Sequence, residues 1–330
     1  MRPTRRDILK LGAAAGATLL ALPVSWAQSS AWPSKPIKLI VGWPAGGNAD
    51  LVGRLFANYA SSQLGQQVVV ENRPGGSGTI GSGAVARSVG DGYTLGLATN
   101  SDMAIAPSSM GKKLAYDPVL DFAPIGHIAH VPLVLVVNPA LGVSSVKELI
   151  ALAKAQPGKL NYASYGSATT SRLVAELFQQ VTNTSMVHIV YKGSAPAVLD
   201  LVAGRTHVMF DTLASAYPHV QTGALKALAV TSEQRPDMAP QLQTMAEIGL
   251  PGCVMSGWVG LHAPAGTPAS AVSRMHETVK AFVNAVEIRD RLGKMGLLAT
   301  GMDPSQFREF IKMDIERVAK VVKSANIQFD

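Results

Sequence analysis

The sequence predicts an α/β fold of two domains, each a mainly parallel sheet flanked by helices, joined by a double-strand hinge. Strand-like and helix-like segments alternate along most of the 330-residue chain, which is typical of a doubly wound sheet. Two long apolar stretches, 123–139 and 253–264, stand on either side of a middle block of alternating segments. They predict that one domain interrupts the other and that the chain crosses between them twice. The expected domains are 32–125 plus 256–330, and 126–255.

The first block of segments reads β-α-β-α-β. A β-branched run at 35–43 precedes the segment 48–65, in which apolar residues recur at helical spacing between Asn48 as the predicted cap and Gly65 as the stop. The next three segments read as strand, helix and strand: 66–73, 79–89 and 92–99. The same alternation resumes at 146–232, and two further helices are predicted at 268–285 and 304–325.

The N-terminal segment 1–27 predicts a twin-arginine-type export signal. Arg5 and Arg6 lie in the stretch TRRDILK, an apolar run too short to span a bilayer stably follows, and residues 25–27 (SWA) suit a cleavage triplet. The chain has a single cysteine, Cys253, so no internal disulfide forms. We therefore expect a periplasmic protein held together by its hydrophobic core. An ordinary secretion signal and an uncleaved anchor are the alternatives.

The charge of the chain argues against a nucleic-acid partner. The formal net charge is +7, but the segment 1–27 carries four basic residues and one acidic residue, which leaves +4 for the remainder. That excess is spread along the chain with no run of Lys and Arg, whereas a nucleic-acid-binding surface has a denser basic patch. Hydrophobic residues make up 47% and charged residues 15% of the chain, as in ordinary globular proteins.

Four glycine-containing loops open predicted helices. They are 43–50 (WPAGGNAD), 73–83 (RPGGSGTIGSG), 164–171 (SYGSATTS) and 191–196 (YKGSAP). The first N–H groups of a helix lack intrahelical partners and lie at the positive end of its dipole, and glycine lets a ligand approach them. If the loops converge where the two domains face each other, they would hold one or two carboxylates. The alternative is that these residues only cap their helices.

The second loop also contains a dinucleotide-type pattern. Gly76, Gly78 and Gly81 spell G-x-G-x-x-G, and Asp102 follows at about the distance of the acidic residue that binds a ribose. The pattern belongs to the second β-α unit, however, and residues 73–75 separate it from its strand. An exported NAD(P)-dependent oxidoreductase is therefore the alternative function.

Catalytic and metal-binding motifs are missing from the sequence. It contains no G-x-S-x-G, H-E-x-x-H, C-x-x-C or Walker-type Gly-Lys-Ser/Thr motif. His127 and His130 lie in an apolar stretch and are interpreted as surface or hinge residues rather than metal ligands. Cys253 has no activating neighbour and is expected to be buried. We expect no catalytic residue, no metal and no cofactor.

Four stretches of the sequence resemble the tripartite tricarboxylate transporter substrate-binding proteins, also called Bug receptors. They are 43–50, 70–81 followed by DGYTL at 91–95, 161–178 and 188–211, in the order and spacing of that family over roughly 32–328. The resemblance implies a periplasmic, two-domain Venus-flytrap receptor with a small organic carboxylate in its cleft. It also implies membrane permease subunits or a sensor as partners of a monomeric protein. A periplasmic adaptor that binds a protein partner is a further alternative.

The resemblance also implies a set of ligand-binding residues. Backbone N–H groups of the first loop would hold one carboxylate, and the third loop would complete the site. Carried to this chain, the set is Ala45, Gly46, Gly47, Asn48, Ala49, Asp50, Gly78, Thr79, Gly166, Ser167, Thr169, Thr170, Lys192, Gly193, Ser194 and Asp211. We expect Asp50 to interact with the helix dipole and to turn its side chain away from the ligand.

Three positions depart from the family pattern. Ala168 stands where a second glycine is usual, and Arg172 stands where His is usual. Arg172 would either contact a carboxylate in a bidentate manner or be a solvated helix residue. Trp43 replaces the common Phe, and either lines an aromatic pocket or packs in the core.

Overall fold

The computed structural model describes residues 32–324 and Ile327. The predicted export signal 1–27 lies outside the described residues. The architecture given below is that of the compact unit Lys35–Asp330. No helix in the described residues is long and apolar enough to span a bilayer.

Ten strands form one continuous sheet in the described part of the chain. They are β1 (Ile37–Val41), β2 (Val68–Asn72), β3 (Thr94–Thr99), β4 (Phe122–Val137), β5 (Asn161–Ser164), β6 (Val187–Val190), β7 (Val208–Thr212), β8 (Lys226–Val230), β9 (Ser256–Pro264) and β10 (Leu298–Ala299). Their order is β2-β1-β3-β9-β4-β7-β5-β6, and β8 and β10 also pair with β4. Strand β4 is thus the common member of both halves of the sheet.

Each half of the sheet combines parallel and antiparallel pairs. Strand β1 is parallel to β2 and β3, and β5 is parallel to β6 and β7, as the β-α-β alternation predicts. Strands β4 and β9 run antiparallel to their neighbours, so each parallel set is completed by antiparallel crossing strands. We call β1–β3 with their helices the first lobe, and β5–β8 with theirs the second lobe.

Helices cover both lobes in the described range. They are α1 (Asn48–Leu64), α2 (Thr79–Ala86), α3 (Ala106–Met110), α4 (Val146–Ala155), α5 (Thr170–Thr182), α6 (Ser194–Val202), α7 (Leu213–Gln221), α8 (Ala269–Asn284), α9 (Val286–Lys294) and α10 (Pro304–Ser324). Helix α1 buries Val52, Phe56 and Ala60 on one face and ends at Gly65, whose φ is 66°. This left-handed conformation is the usual stop for a helix and favours glycine.

The chain crosses between the lobes on β4 and at the start of β9. The first part of β4 pairs with β9 as far as Pro132, and from Leu133 onward β4 pairs with β7 and β8. On the return, the Met255 N–H donates to the carbonyl of Thr231 at 2.9 Å before β9 begins. These crossings confirm the double-strand hinge predicted from the two long apolar stretches.

Helix α10 packs against both lobes. Phe307 and Ile311 lie in the apolar core of the first lobe with Ile40 and Trp258, whereas Val318 lies in a core of the second lobe. The helix therefore bridges the two halves of the sheet.

Two details of the structure differ from the predicted elements. Gly47, with extended backbone, occupies the cap position of α1, and Asn48 is the first helical residue. Helix α9 was not predicted, because it is mostly polar and its first residue, Val286, is 84% exposed; a helix with so narrow an apolar face gives a weak periodic pattern.

Candidate ligand-binding cleft

A cavity of about 80 Å³ lies at the carboxyl ends of strands from both lobes. The loops after β1, β3, β5, β6 and β7 contribute to it, and the crossing strands β4 and β9 complete its wall. The lining residues are Trp43, Pro44, Ala45, Gly47, Asn48, Ala49, Thr99, Asn100, Ser101, Val131, Tyr165, Thr170, Gly193, Ser194, Ala195, Pro196, Thr212, Gly257, Trp258 and Val259. In open α/β sheets, ligands bind at this edge.

Part of the predicted ligand-binding set lines this cavity. The lining members are Ala45, Gly47, Asn48, Ala49, Thr170, Gly193 and Ser194. The remaining predicted residues are absent from the lining: Gly46, Asp50, Gly78, Thr79, Gly166, Ser167, Thr169, Lys192 and Asp211. Several of these hold the lining residues in place, as the hydrogen bonds below show.

The first lobe presents the N-terminus of α1 to the cavity. Gly47 caps this helix without a side-chain hydrogen bond, and Asn48 and Ala49 follow as its first two residues. Their N–H groups have no acceptor within the helix, so they can donate to a bound anion. A carboxylate placed here would also meet the positive end of the helix dipole.

Asp50 stabilises this loop rather than facing the cavity. Its carboxylate accepts hydrogen bonds from the Gly46 N–H at 2.9 Å, from Arg54 Nε at 2.9 Å and from Asn72 Nδ2 at 2.8 Å. Burial alone would raise the pKa of Asp50, but these hydrogen bonds and the Arg54 charge outweigh it, and the pKa lies below the ordinary value. The ion pair with Arg54 leaves the α1 terminus without an uncompensated negative charge.

The second lobe presents the N-terminus of α6, where a buried carboxyl group lies behind the lining. Ser194 Oγ donates to Asp211 Oδ2 at 2.5 Å and lies 2.6 Å from Ser215 Oγ. Asp211 is completely buried, and this burial raises its pKa to about 6 even though the Ser194 hydroxyl counteracts the effect. No cation forms an ion pair with Asp211 within the described residues, in contrast to Asp50.

Two hydrogen bonds join the lobes beside the cavity. The backbone N–H of Ala168 donates to Ser77 Oγ at 3.1 Å, and Thr170 Oγ1 donates to Asn100 Oδ1 at 3.0 Å. The first bond links Ser77 of the first lobe to the loop before α5 in the second, and the second bond links Asn100 to the first residue of α5. The two lobes are therefore in contact, with the cavity between them.

Two close contacts across the cleft accompany these bonds. The rings of Trp43 and Tyr165 meet edge to face, with centroids 5.9 Å apart. A Cβ atom on Gly193 would lie 3.1 Å from Pro44 Cγ, so any larger residue here would crowd the approach of these two loops. Trp43 lines the cavity, which is the first of the two roles expected for it.

Polar groups inside the cavity remain without partners. Asn100 Nδ2 and Thr212 Oγ1 are buried and make no hydrogen bond within the described residues, and the same holds for Asn48 Oδ1. All three residues line the cavity. Because buried polar groups are nearly always satisfied in native proteins, these groups are positioned to bind a polar ligand.

The sequence model of the tripartite tricarboxylate transporter family receptor matches residues 52–327. The chain belongs to this receptor family. Proteins of the family are periplasmic solute-binding receptors.

Known relatives match this chain over nearly its whole length. Protein BugT of Bordetella pertussis is 36% identical over 304 residues, which are 92% of this chain and 92% of that protein. The structure of R. palustris Rpa4515 with adipate is 35% identical and has a TM-score of 0.87, covering 90% of this chain and 99% of the other. The structure of MatC from Rhodopseudomonas palustris with bound malate is 28% identical, with a TM-score of 0.83 and coverages of 88% and 99%.

The glycines of the second loop allow close packing in this receptor. A Cβ atom on Gly81 would lie 2.6 Å from the Cα of Gly42, in the loop that follows β1. Asp102 is buried and accepts hydrogen bonds from Ser82 Oγ and from the backbone and side chain of Thr99. The glycine pattern and its acidic residue are thus engaged inside the first lobe, and none of them lines the cavity.

Arg172 is buried and lies outside the cavity lining. Its Nε is 3.5 Å from Glu176 Oε1 one turn along α5, so it is not a solvated residue. The histidines of the hinge strand also lie away from the cavity: His127 is buried, and burial lowers its pKa to about 3. Cys253 is buried as predicted.

Several lining residues were not predicted. Asn100 and Thr212 stand where β3 and β7 end, and their position after a predicted strand is a signal that could have identified them. Val131, Gly257 and Trp258 lie on the crossing strands, where β4 pairs with β9. No local motif marks these residues, because their place in the wall depends on how the two lobes meet.

Proposed function

We propose that this receptor binds a small organic carboxylate in the cleft between its lobes, without catalysing a reaction. The observation that carries the proposal is the N-terminus of α1 at the cavity wall. Its own acidic residue is neutralised by Arg54, while Asn48 and Ala49 offer N–H groups to the cavity. Unsatisfied Asn100 and Thr212 supply further polar contacts. The bound adipate and malate of the two related structures support the same chemical class.

In this proposal, the predicted residues form two groups with different roles. The lining residues of the first, third and fourth loops contact the ligand. The predicted residues behind them, among them Asp50 and Asp211, position those loops. The ligand binds the closed arrangement of the lobes more tightly than the open one. Binding therefore stabilises the closed arrangement.

The remaining parts of the proposal concern the cellular setting. The segment 1–27 directs export by the twin-arginine route, and the lobes correspond to domains 32–125 plus 256–330 and 126–255. The receptor acts as a monomer and presents its closed form to membrane permease subunits or to a sensor. The single buried cysteine and the absence of nucleic-acid-type basic runs are compatible with this role.

A thermal-shift panel tests the proposal. The purified receptor is measured with mono-, di- and tricarboxylates, their amides, and NAD(P)(H). A carboxylate at about 100 times its dissociation constant should add about 2.7 kcal/mol of stability, which is several degrees for a chain of this size. The corresponding amide should give a much smaller shift.

Other outcomes of the panel would point elsewhere. A shift with NAD(P)(H) and none with any acid would contradict the proposal and favour an oxidoreductase that uses the second loop. Turnover of a carboxylate during the assay would contradict the non-catalytic part. No shift with any compound would favour an adaptor that binds a protein partner.

A further inference from the structure

The two ends of the cleft differ in charge. At the α1 end, the buried Asp50 is paired with Arg54 at 2.9 Å. At the α6 end, the buried Asp211 interacts with the hydroxyls of Ser194 and Ser215 and with the backbone N–H of Thr212, and no cation among the described residues forms an ion pair with it. A negative charge on Asp211 therefore lies one hydroxyl group away from the cavity and has no cation to offset it. An anionic ligand group is favoured at the first end and opposed at the second.

Some donors at the α6 end are already used. The N–H of Gly193 donates to the carbonyl of Tyr165 at 3.2 Å, the Ser194 hydroxyl donates to Asp211, and Pro196, in the first turn of α6, has no N–H. The N–H groups of Ser194 and Ala195 stay available, as those of Asn48 and Ala49 do at α1. The charge of Asp211 is therefore the feature that distinguishes the two ends.

Aromatic and aliphatic side chains form the wall between the two ends. The indole of Trp43 and the ring of Tyr165 come from different lobes and meet edge to face, with centroids 5.9 Å apart, and Trp258 lies on the crossing strand β9. Val131, Val259 and Pro196 add aliphatic surface, and none of the lining residues carries a charge. Flat apolar walls of this kind favour an aromatic ligand body over a flexible polar chain.

We propose that the receptor selects a monocarboxylate with an uncharged aromatic body. The carboxylate lies at the N-terminus of α1, and the ring lies against the Trp43–Tyr165 pair and Trp258. Asp211 excludes a second carboxylate from the α6 end by charge repulsion. This inference rests on the proposed function and sets the receptor apart from its relatives that bind adipate or malate, which are dicarboxylates.

Isothermal titration calorimetry at pH 7.5 tests the proposal with acids matched in shape. The compounds are benzoate, 4-nitrobenzoate, terephthalate and adipate. Terephthalate and 4-nitrobenzoate have nearly the same outline and differ by one negative charge at the far end. We expect 4-nitrobenzoate to bind roughly tenfold or more tightly than terephthalate, since like charges repel strongly where water is excluded. Benzoate should likewise bind more tightly than adipate.

A charge-removing variant tests the role of Asp211. Asp211→Asn keeps the shape of the side chain and removes its charge, so terephthalate should approach the affinity of 4-nitrobenzoate. Asp290→Asn, which changes an exposed carboxylate paired with Lys294 on α9, serves as the control and should leave the difference unchanged. The comparison of 4-nitrobenzoate with terephthalate in the unaltered receptor decides the ligand class even if the Asp211 variant fails to fold.

The outcomes separate this inference from the proposed function. Adipate or terephthalate binding as tightly as the monocarboxylates would overturn the inference and leave a carboxylate receptor. The absence of binding by every acid in this and the thermal-shift panel would contradict the proposed function itself. An unchanged difference in a folded Asp211→Asn variant would overturn the role given to that residue.

Discussion

The side-chain oxygen of Ser77 accepts a hydrogen bond from the backbone N–H of Ala168 at 3.1 Å. Ser77 holds a left-handed conformation, with φ of 56°, which is uncommon for a residue other than glycine. The strain is compatible with a functional contact, because the hydroxyl reaches from the first lobe to the loop before α5 in the second. This bond is present only when the lobes are together, so it should favour the closed arrangement.

Removing the Ser77 hydroxyl should weaken ligand binding. Ser77→Gly removes the bond and suits the left-handed backbone, so the lobes themselves should stay as stable as before. Loss of a hydrogen bond of about 0.5–1.5 kcal/mol predicts a dissociation constant raised about two- to tenfold. The dissociation constant is measured by calorimetry with the acid that gives the largest thermal shift. Ser62→Ala, which removes an exposed hydroxyl on α1, should have no effect, and equal affinities for both variants would contradict the prediction.

A methyl group on Gly193 should hinder closure. In Gly193→Ala the new Cβ atom would lie 3.1 Å from Pro44 Cγ across the cleft, and we expect ligand affinity to fall by about tenfold or more. Gly223→Ala is a suitable control, because its φ is also positive at 76° but no atom lies within 4 Å of the added group. Gly223→Ala should lose about 1–2 kcal/mol of stability from backbone strain. Gly193→Ala should lose more, because its φ of 117° and ψ of 168° lie in a region that is essentially restricted to glycine. Affinity that falls equally in both would show that strain, not the contact with Pro44, is responsible.

The backbone N–H of Asn48 should contribute directly to carboxylate binding. Asn48→Pro removes this donor, and proline is well tolerated as the first residue of a helix. The extended backbone of Gly47, with φ of −79° and ψ of 167°, also suits a residue that precedes proline. Asn48→Ala loses the same side chain but keeps the N–H.

The two Asn48 variants should therefore differ in affinity. A hydrogen bond to a charged group is worth about 1.5–3 kcal/mol, so the proline variant should bind at least about tenfold more weakly than the alanine variant. Circular dichroism checks that both variants keep their helices. Equal binding by the two would place the carboxylate elsewhere in the cleft.

Asp211 should make stability depend on pH in the mildly acidic range. Its pKa is raised from 3.8 to about 6 by burial, so between these values the folded state holds a proton that the unfolded state has released. The contribution of this group to the free energy of unfolding therefore falls as the pH rises through that window. Asp211→Asn removes the cost and should be more stable than the unaltered receptor at pH 7.5, by roughly 1–3 kcal/mol.

Urea denaturation at pH 7.5 and pH 4 measures this difference. At pH 4 the carboxyl group is largely protonated in the folded state, so the gain should mostly disappear. Asp290→Asn should shift stability little at either pH, since that side chain is exposed. A gain that is as large at pH 4 as at pH 7.5 would contradict the assignment of the effect to ionisation of Asp211.

Much of the fold could be predicted from local patterns. The alternation of helical and strand periodicity identifies α1 between Asn48 and Leu64, and the two apolar stretches are indeed crossing strands. All four glycine-containing loops were expected to contribute to the site, because glycine before a helix is visible in a short window. The first, third and fourth loops line the cavity, and no residue of the second does. Asn48 and Gly193 line the cavity as expected.

The rest of the cavity depends on contacts that no short window reveals. Trp258 and Val131 read as ordinary core residues of long strands, and only the pairing of β4 with β9 brings them to the cleft. Gly78 and Gly81 follow a ligand-binding pattern, yet they lie where helix α2 packs closely on the loop after β1. Steric fit between elements that are distant in sequence therefore decides which glycines face a ligand.

The position of β9 between β3 and β4 has a consequence for protein synthesis. The first lobe is not joined to the hinge strand until β9 (Ser256–Pro264) is inserted between them. On the ribosome, β1–β3 emerge long before β9. The edge of β3 that pairs with β9 in the folded receptor therefore stays unpaired until then. The second lobe, whose strands β5–β8 are all made earlier, can assemble first. Sheets closed by such distant segments form slowly, so we expect the nascent receptor to need protection of the β3 edge until translation has passed Pro264.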